Sequence, residues 1–481
     1  MSFILSVDQS TSGTKAMLLD ESGRLIGRED LPHEQKIDDR CRISHDPEEI
    51  YLRTLGAVEK LLHSTGTDGG DIVAVGISNQ RETSLIWDRD SGEPVADAVV
   101  WQCDRASGIC ERLSDRADMV REKTGLTLSP YFPASKWAWL LENTPNLDGR
   151  RLCAGTIDSW LIYKLTGGFF TDFSNASRTQ LFNLKTLDWD DELCALFGIG
   201  RKMLPEVRMS DGDFGSTDFG GLLPRAVPIR GVMGDSHAAL FGQGCLSPGM
   251  AKVTYGTGSS VMMNVGDSAP TAGDGVVASV AWGMGGRVSF VLEGNINYTG
   301  SVIKWVADDL GLIGSPSDAG AVAASANPDD TTYLVPAFSG LGAPYWRADV
   351  RAMFCGMGRG TGRAELVKAA EESIAYQITD VVRAMEHRSG SALHELYADG
   401  GPTRDSYLMQ FQSDILGIPI AVSERAELSG IGAAYCAGIA CGLYDRDIFS
   451  HVGRAVYSPQ KDDAWREKHH GGWRGAVEHL L

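Results

Sequence analysis

Residues 3–15 read FILSVDQSTSGTK. Positions 3–7 are dominated by large apolar side chains and predict a buried strand. Residues 8–14 form a polar turn containing one glycine, and residues 15–19 predict a return strand. Residues 24–27 supply a third, so the chain opens as an antiparallel meander. The same pattern returns after a break rich in Gly and Pro at residues 242–250 (GQGCLSPGM). There residues 252–255 predict a short strand, Gly256-Thr257-Gly258-Ser259 a tight turn, and residues 261–265 a second strand. Each half thus begins with a hydrophobic hairpin turned on Gly, Ser and Thr. This is an internal duplication of pattern rather than of sequence. It predicts two domains, 1–244 and 245–481, each large enough to bury its own core.

Working outward, Asp46-Pro47-Glu48-Glu49 supplies an N-cap, a proline at the first helical position and acids in the first turn. Tyr51, Leu55, Val58 and Leu62 follow on one face of that helix. The near-continuous apolar run at residues 71–77 predicts a strand covered on both faces, with further strands at 84–87 and 98–101. Helical spacing returns at 136–142 and 159–165, and in the second half at 298–310 and 363–387. The stretch 432–441 predicts a helix of small residues that must pack closely against something. The polar and aromatic C-terminal residues carry no assignment.

Composition narrows the function. The 44 Lys and Arg against 63 Asp and Glu leave a formal charge of −19, which argues against general affinity for nucleic acid or anionic lipid while allowing a local anion site. With 43% apolar and 22% charged residues, the chain has the composition of a soluble globular protein. No apolar stretch approaches the length of a membrane span, and residues 1–10 lack the basic start of a signal peptide. The nine cysteines are scattered without a CxxC pair, so reduced thiols in the cytoplasm are expected rather than disulfides or structural zinc.

Several residues are candidates for chemistry, each beside a plainer reading. Two Gly/Ser/Thr turns, one per half, suit a polyphosphate held in a cleft, although such residues also make ordinary hairpins. Neither is a GxxxxGK[ST] loop. Asp8, ending a buried strand beside the first turn, is either a Mg2+ ligand or an Asx-turn residue. Asp235 follows an apolar run and opens a small-residue stretch, and is either a helix N-cap or a general base. His237 beside it is a second candidate base or a structural hydrogen bonder. Arg81-Glu82 at a strand end is either a solvated pair or a grip for vicinal hydroxyls, which need both a donor and an acceptor. Trp101 and Tyr131 either line the same pocket or are simply buried.

Taken together, residues 3–15, 76–82 (GISNQRE), 101–103 (WQC), 175–182 (NASRTQLF), 234–243 (GDSHAALFGQ), 254–258 (TYGTG), 336–346 (PAFSGLGAPYW) and 409–416 (MQFQSDIL) resemble the FGGY carbohydrate kinases. The matches fall in order over nearly the whole chain and lie closest to the glycerol-phosphorylating members. Residues 131–143 (YFPASKWAWLLEN) resemble the family's first signature throughout. The second, around 352–372, is matched except that Glu371 stands where an apolar residue is usual.

The resemblance implies an α/β, actin-like (ribonuclease H-like) fold: duplicated domains with mixed β-sheets and flanking helices, closing on a cleft that holds ATP and a small polyol or sugar. It implies ATP and Mg2+ as cofactors, with Asp8 and Asp235 toward the metal and Asp235 as general base. Thr11, Ser12 and Lys15 would approach the terminal phosphates, with Gly256 and Thr257 as the second phosphate turn. Gly300, Lys304, Gly400, Gly401 and Asp405 would contact the rest of the nucleotide. Lys304 stands where a glutamine is expected, and Asp405 where an asparagine is. Arg81, Glu82 and Tyr131 would bind hydroxyls, and Trp101 would cover the carbon chain. A homodimer or tetramer would fit the family.

Two departures bear on the acceptor: Ser236 stands where a glutamine is expected, and Ser260 where an apolar aromatic is. Both shorten a pocket side chain and add a hydroxyl, leaving open either glycerol in a refilled pocket or a C4–C5 polyol or ketose. Residues 219–229 (FGGLLPRAVPI) also look altered where members regulated by a sugar bisphosphate carry a longer loop. A non-catalytic actin-like ATP-binding protein and a phosphohydrolase are the competing classes. The phosphate residues and base disfavour the first; Arg81-Glu82 and Tyr131, which have no role in attack by water, disfavour the second.

Overall fold

The structure, a computed structural model, describes residues 1–481 apart from Ala272 and Asp274. Two mixed sheets organise it. In the first, strands Val227–Gly234, Ile72–Asn79 and Phe3–Gln9 run parallel, and Gly13–Leu19 and Leu25–Pro32 continue antiparallel, with the short Ser216–Thr217 at the far edge. In the second, Ile420–Ser423, Leu396–Gly400 and Ala251–Tyr255 run parallel, and Ser259–Gly266 and Arg287–Ile296 continue antiparallel. Val277–Met284 and Arg454–Tyr457 form its edges. Order and polarity of the five central strands are the same in both sheets, so the hairpin pattern read in the sequence is a duplication of topology.

The predicted helix at Asp46 runs over Pro47–Thr65, with the Asp46 carboxylate accepting from the amides of Glu48 and Glu49, and it covers the hairpin side of the first sheet. The small-residue helix is Leu428–Ala440. It belongs to the second half of the chain yet packs across the first sheet's parallel strands and against the helix Asp235–Gly242. The approach is close: a Cβ on Gly76 or Gly231 would lie 2.4 or 2.5 Å from the Ala433 carbonyl oxygen, and one on Gly432 would lie 1.9 Å from that of Ala238. These two helices each follow the third parallel strand of their own sheet, and their crossing joins the halves.

Two features differ from the sequence reading. Val277–Met284 and Arg287–Ile296 form a long hairpin on Gly285-Gly286, both at positive φ (58° and 76°), the turn chemistry that matches strand twist. The C-terminal residues form the helix Asp463–Glu478, in which buried Trp473 stacks on Tyr376 at 5.3 Å. Its three glycines oppose a helix locally, and packing decides. Among the described residues no helix is long and apolar enough to cross a membrane.

Candidate active site in the interdomain cleft

A cavity of about 590 Å³ lies between the sheets, lined by Asp8, Lys15 and Asp235 from the first half and Thr254, Asp399, Gly400 and Glu427 from the second. Asp8 sits near the C-terminal end of its strand, almost fully buried, and accepts a 2.9 Å hydrogen bond from the Ser78 hydroxyl. Lys15, its Cα partner across the hairpin, brings Nζ to 3.8 Å from Oδ2. Burial pushes the Asp8 carboxyl up to about 6, with Asp235 and Glu427 adding negative charge and Lys15 opposing. Lys15 Nζ also donates to Glu427, which the Arg28 guanidinium holds at 2.7 Å. Glu427 stands at the start of the Leu428–Ala440 helix with φ 64°. Its pairs with Lys15 and Arg28 therefore bridge the two halves of the chain.

Asp235 is the first residue of its helix, placed by a strand that ends at Gly234. Its Oδ1 accepts from the Ser236 amide at 2.6 Å and lies 3.2 Å from Arg81 Nε, while the side chain remains 35% exposed toward the cleft. Arg81 donates both terminal nitrogens to Glu293, at 2.8 and 2.9 Å. Arg178 completes the group, donating from Nε to Glu82 at 2.6 Å and lying 2.9 Å from Glu293. Burial alone would raise the Glu293 carboxyl, but Arg178 and Arg81 hold it well below the usual carboxylate range. Glu82 itself adopts φ 61°, a strained conformation for a residue with a side chain, of a kind that clusters at functional sites.

The sequence places Arg81 as a hydroxyl grip. In the structure its guanidinium contacts the carboxylates of Glu293 and Asp235, and so fixes the Asp235 side chain. Trp101 donates its indole N–H to the Thr11 hydroxyl at 2.9 Å and meets Tyr131 edge to face at 5.5 Å. Lys136, wholly buried, donates to the Tyr131 carbonyl and is drawn down to about 7 by burial.

In the second half, the carbonyl of Gly256 accepts from the Gly300 amide (2.9 Å), and that of Thr257 accepts from the amides of Thr299 and Ser301 (2.9 and 3.2 Å). The turn is thus docked on the start of helix Gly300–Asp308. Gly400 has φ 102°, and a Cβ there would lie 1.9 Å from the Tyr255 carbonyl oxygen, so only glycine fits. Behind Gly401 opens a second cavity of about 370 Å³, lined by Gly300, Ile303, Glu371, Pro402, Asp405 and Leu408 among others. Asp405 caps the next helix, accepting from the amides of Tyr407 and Leu408.

The structure therefore brings Asp8, Lys15, Asp235, Gly400 and Gly401 into one cavity and sets Arg81 beside them. Glu82 joins through Arg178 and Glu293, while Thr11, Trp101 and Tyr131 form their own contact chain. Ser12 is exposed at the tip of the first turn. Lys304 is not brought in: its side chain is 74% exposed, 4.0 Å from Asp308, and it lines neither cavity. Ser236 lies half-buried beside Asp235. Ser260 pairs across the sheet with Thr254 and Asn295, and its hydroxyl oxygen is buried without a hydrogen-bond partner. His237 is buried, 3.2 Å from the Ser279 hydroxyl and held well below its usual pKa by burial, which suits a structural role.

Sequence reasoning missed Arg178, Glu293 and Glu427. Glu293 left a signal, a lone acid inside the apolar run FVLEGNI at residues 290–296. Among the described residues no three His, Cys, Asp or Glu side chains gather as a metal site. Asp8 and Asp235 nevertheless fit Mg2+, which is often held by one or two carboxylates with water and substrate phosphate.

Residues 3–242 match the N-terminal domain, and residues 251–441 the C-terminal domain, of the FGGY family of carbohydrate kinases. Glycerol kinase 1 of Thermotoga maritima is 45% identical over 100% of this chain and 99% of its own. The glycerol kinase of Symbiobacterium thermophilum is 44% identical over 99% and 98%. Among solved structures, Plasmodium falciparum glycerol kinase with ADP superposes with a TM-score of 0.94 at 34% identity, covering 100% and 98% of the two chains. Xylulose kinase of Lactobacillus acidophilus shares the fold, with a TM-score of 0.90 at 21% identity over 99% and 97%.

Proposed function

Because the chain belongs to the FGGY family of carbohydrate kinases, we propose that it transfers the γ-phosphoryl group of ATP to a terminal hydroxyl of glycerol. The observation that carries this reading is Asp235, held by Arg81 at the mouth of a cleft shared with Asp8 and Lys15. Full-length similarity to glycerol kinases supports the acceptor.

In this reading Asp235 accepts the proton of the attacking hydroxyl as the new O–P bond forms and the bond from the γ-phosphorus to ADP breaks. The proton then passes to solvent. General-base placement of this kind is worth about 10²–10⁴-fold. Lys15 sets positive charge against the phosphates, with Gly256-Thr257 as the second phosphate turn. Glu82 and Tyr131 orient the acceptor, with Trp101 along its carbons. Asp8 and Asp235 would hold Mg2+, which when bound neutralises phosphate charge. The nine free cysteines fit a reducing cytoplasm.

A second reading, a C4–C5 polyol or ketose, is supported by one feature: the buried Ser260 hydroxyl has no partner, and a longer acceptor would offer one. A coupled assay of ADP release with Mg-ATP tests both. The substrates are glycerol, erythritol, the threitols, the pentitols and the pentuloses, with Asp235→Asn as control. Glycerol preferred by about tenfold or more establishes the first reading, and a longer acceptor winning establishes the second. Wild type no more active than the control on any of them would sink both.

A further inference from the structure

The second cavity, behind Gly401, is walled by carbon: Ile303, Pro316, Ile374, Pro402 and Leu408. Two acids face it. Asp405 uses Oδ1 to cap its helix. Glu371, from helix Arg363–Ser389, is 2% exposed, and its Oε2 is buried without a hydrogen-bond partner. An unpartnered buried carboxyl oxygen is costly unless a ligand satisfies it. An apolar slot of this kind suits the faces of a heterocyclic base, and the unpartnered Glu371 oxygen beside it suits the base's edge.

We propose that Glu371 reads the nucleotide base in this slot, its carboxylic acid donating to a ring nitrogen of adenine and accepting from the adjacent exocyclic amine. The inference rests on the kinase reading above, which puts ATP in this cleft. A neutral acid offers one donor and one acceptor side by side, which adenine's edge complements; an ionised one offers only acceptors. The surroundings favour the neutral form. Burial pushes Glu371 up to about 8, and Asp405 and Glu372 add negative charge. The cations nearby are engaged elsewhere or open to water. Lys368 on the same helix pairs with Glu372, which also accepts from the Tyr407 hydroxyl. Lys304 points to solvent near Asp308. Asp318 accepts from the Ser315 amide, and Arg404 lines the rim where the two cavities meet.

The test is calorimetric titration with ADP at pH 7.0 and 9.3 on wild type, Glu371→Gln and Glu371→Leu, with folding checked by thermal melts. Wild-type affinity should fall about five- to tenfold between the two pH values, while Glu371→Gln, which keeps a donor and an acceptor but cannot ionise, stays within about twofold. Glu371→Leu should bind about tenfold more weakly than wild type at pH 7.0, with no such pH dependence. Purine riboside diphosphate, which lacks the amine, should bind wild type about tenfold more weakly than ADP and Glu371→Leu nearly as well as ADP. Equal pH profiles for wild type and Glu371→Gln, unchanged binding by Glu371→Leu, or a wild-type preference for GDP at pH 7.0 would each overturn the proposal. Ser317→Trp, at the cavity mouth, tests occupancy of the slot. If it leaves ADP binding intact, the base does not occupy this slot and the present inference falls, whereas wild type that binds no ADP at all would sink the kinase reading. If it abolishes binding while the Glu371 variants behave as wild type, only the present inference falls.

Discussion

The rung Asp8–Lys15 of the first hairpin and the rung Thr254–Ser260 of the second hold equivalent places in sheets of the same topology. The first is a carboxylate facing an ammonium; the second is two hydroxyls. Around the first rung gather Asp235, Glu427 and Arg28, whereas the second is followed by a turn docked on a helix start and a slot lined by carbon. Duplication supplied two copies of a scaffold, and the chemistry diverged in the rungs. Charge collects around the first hairpin, with Glu427 reaching in from the second half, and the apolar slot forms beside the second hairpin.

The comparison breaks first at Asp235. If the first half holds the reacting centre, Asp235→Asn should lower kcat by about 10²–10⁴-fold with a circular dichroism spectrum like wild type; full activity would remove the base from the mechanism. Next is Glu293, the carboxylate that the second half contributes to the first half's arginines. Glu293→Gln leaves Arg81 and Arg178 facing a neutral amide. Urea unfolding should show a loss of about 3–5 kcal/mol, the usual consequence of removing one partner from a buried ion pair. Writing the second rung into the first, by Lys15→Ser, should cost about 10²-fold in kcat/KM for ATP, typical of removing one preorganised donor to developing charge. An unaffected value would mean that the charged rung serves folding alone.

The smallest expected effect concerns pH. His33, whose amide donates to the Ser12 carbonyl at the first turn, packs edge to face on His45 at 4.5 Å. Burial, then His45, pulls it down to about 4. The unfolded chain therefore binds more protons between about pH 6.5 and 4, so this contribution to stability is full above 6.5 and is lost as pH falls through that window. His33→Gln should make urea midpoints depend less steeply on pH there, and an unchanged slope would assign the dependence to other groups.

Much of this was legible in the chain. Both hairpins, the Pro47–Thr65 helix and the need for close packing around Gly432 follow from local pattern, because apolar alternation, caps and small residues act through near neighbours. The matched motifs located Asp8, Asp235 and Arg81. What they did not reveal is that Arg81 is paired with Glu293 as well as Asp235, since Glu293 lies 212 residues away. Lys304 was assigned to the nucleotide site through the family resemblance, and in the structure its side chain lies in solvent beside Asp308.

The sequence by itself determined the duplicated architecture and the family, because these are written in periodicity and in motifs of contiguous residues. Only the tertiary structure decided that a helix of the second half packs across the first sheet, that Glu293, shared with Arg178, holds Arg81 in place, and that Glu371 lines a carbon-walled slot. Each depends on contacts between residues distant along the chain, and burial and charge pairing take their energies from those contacts rather than from sequence neighbours.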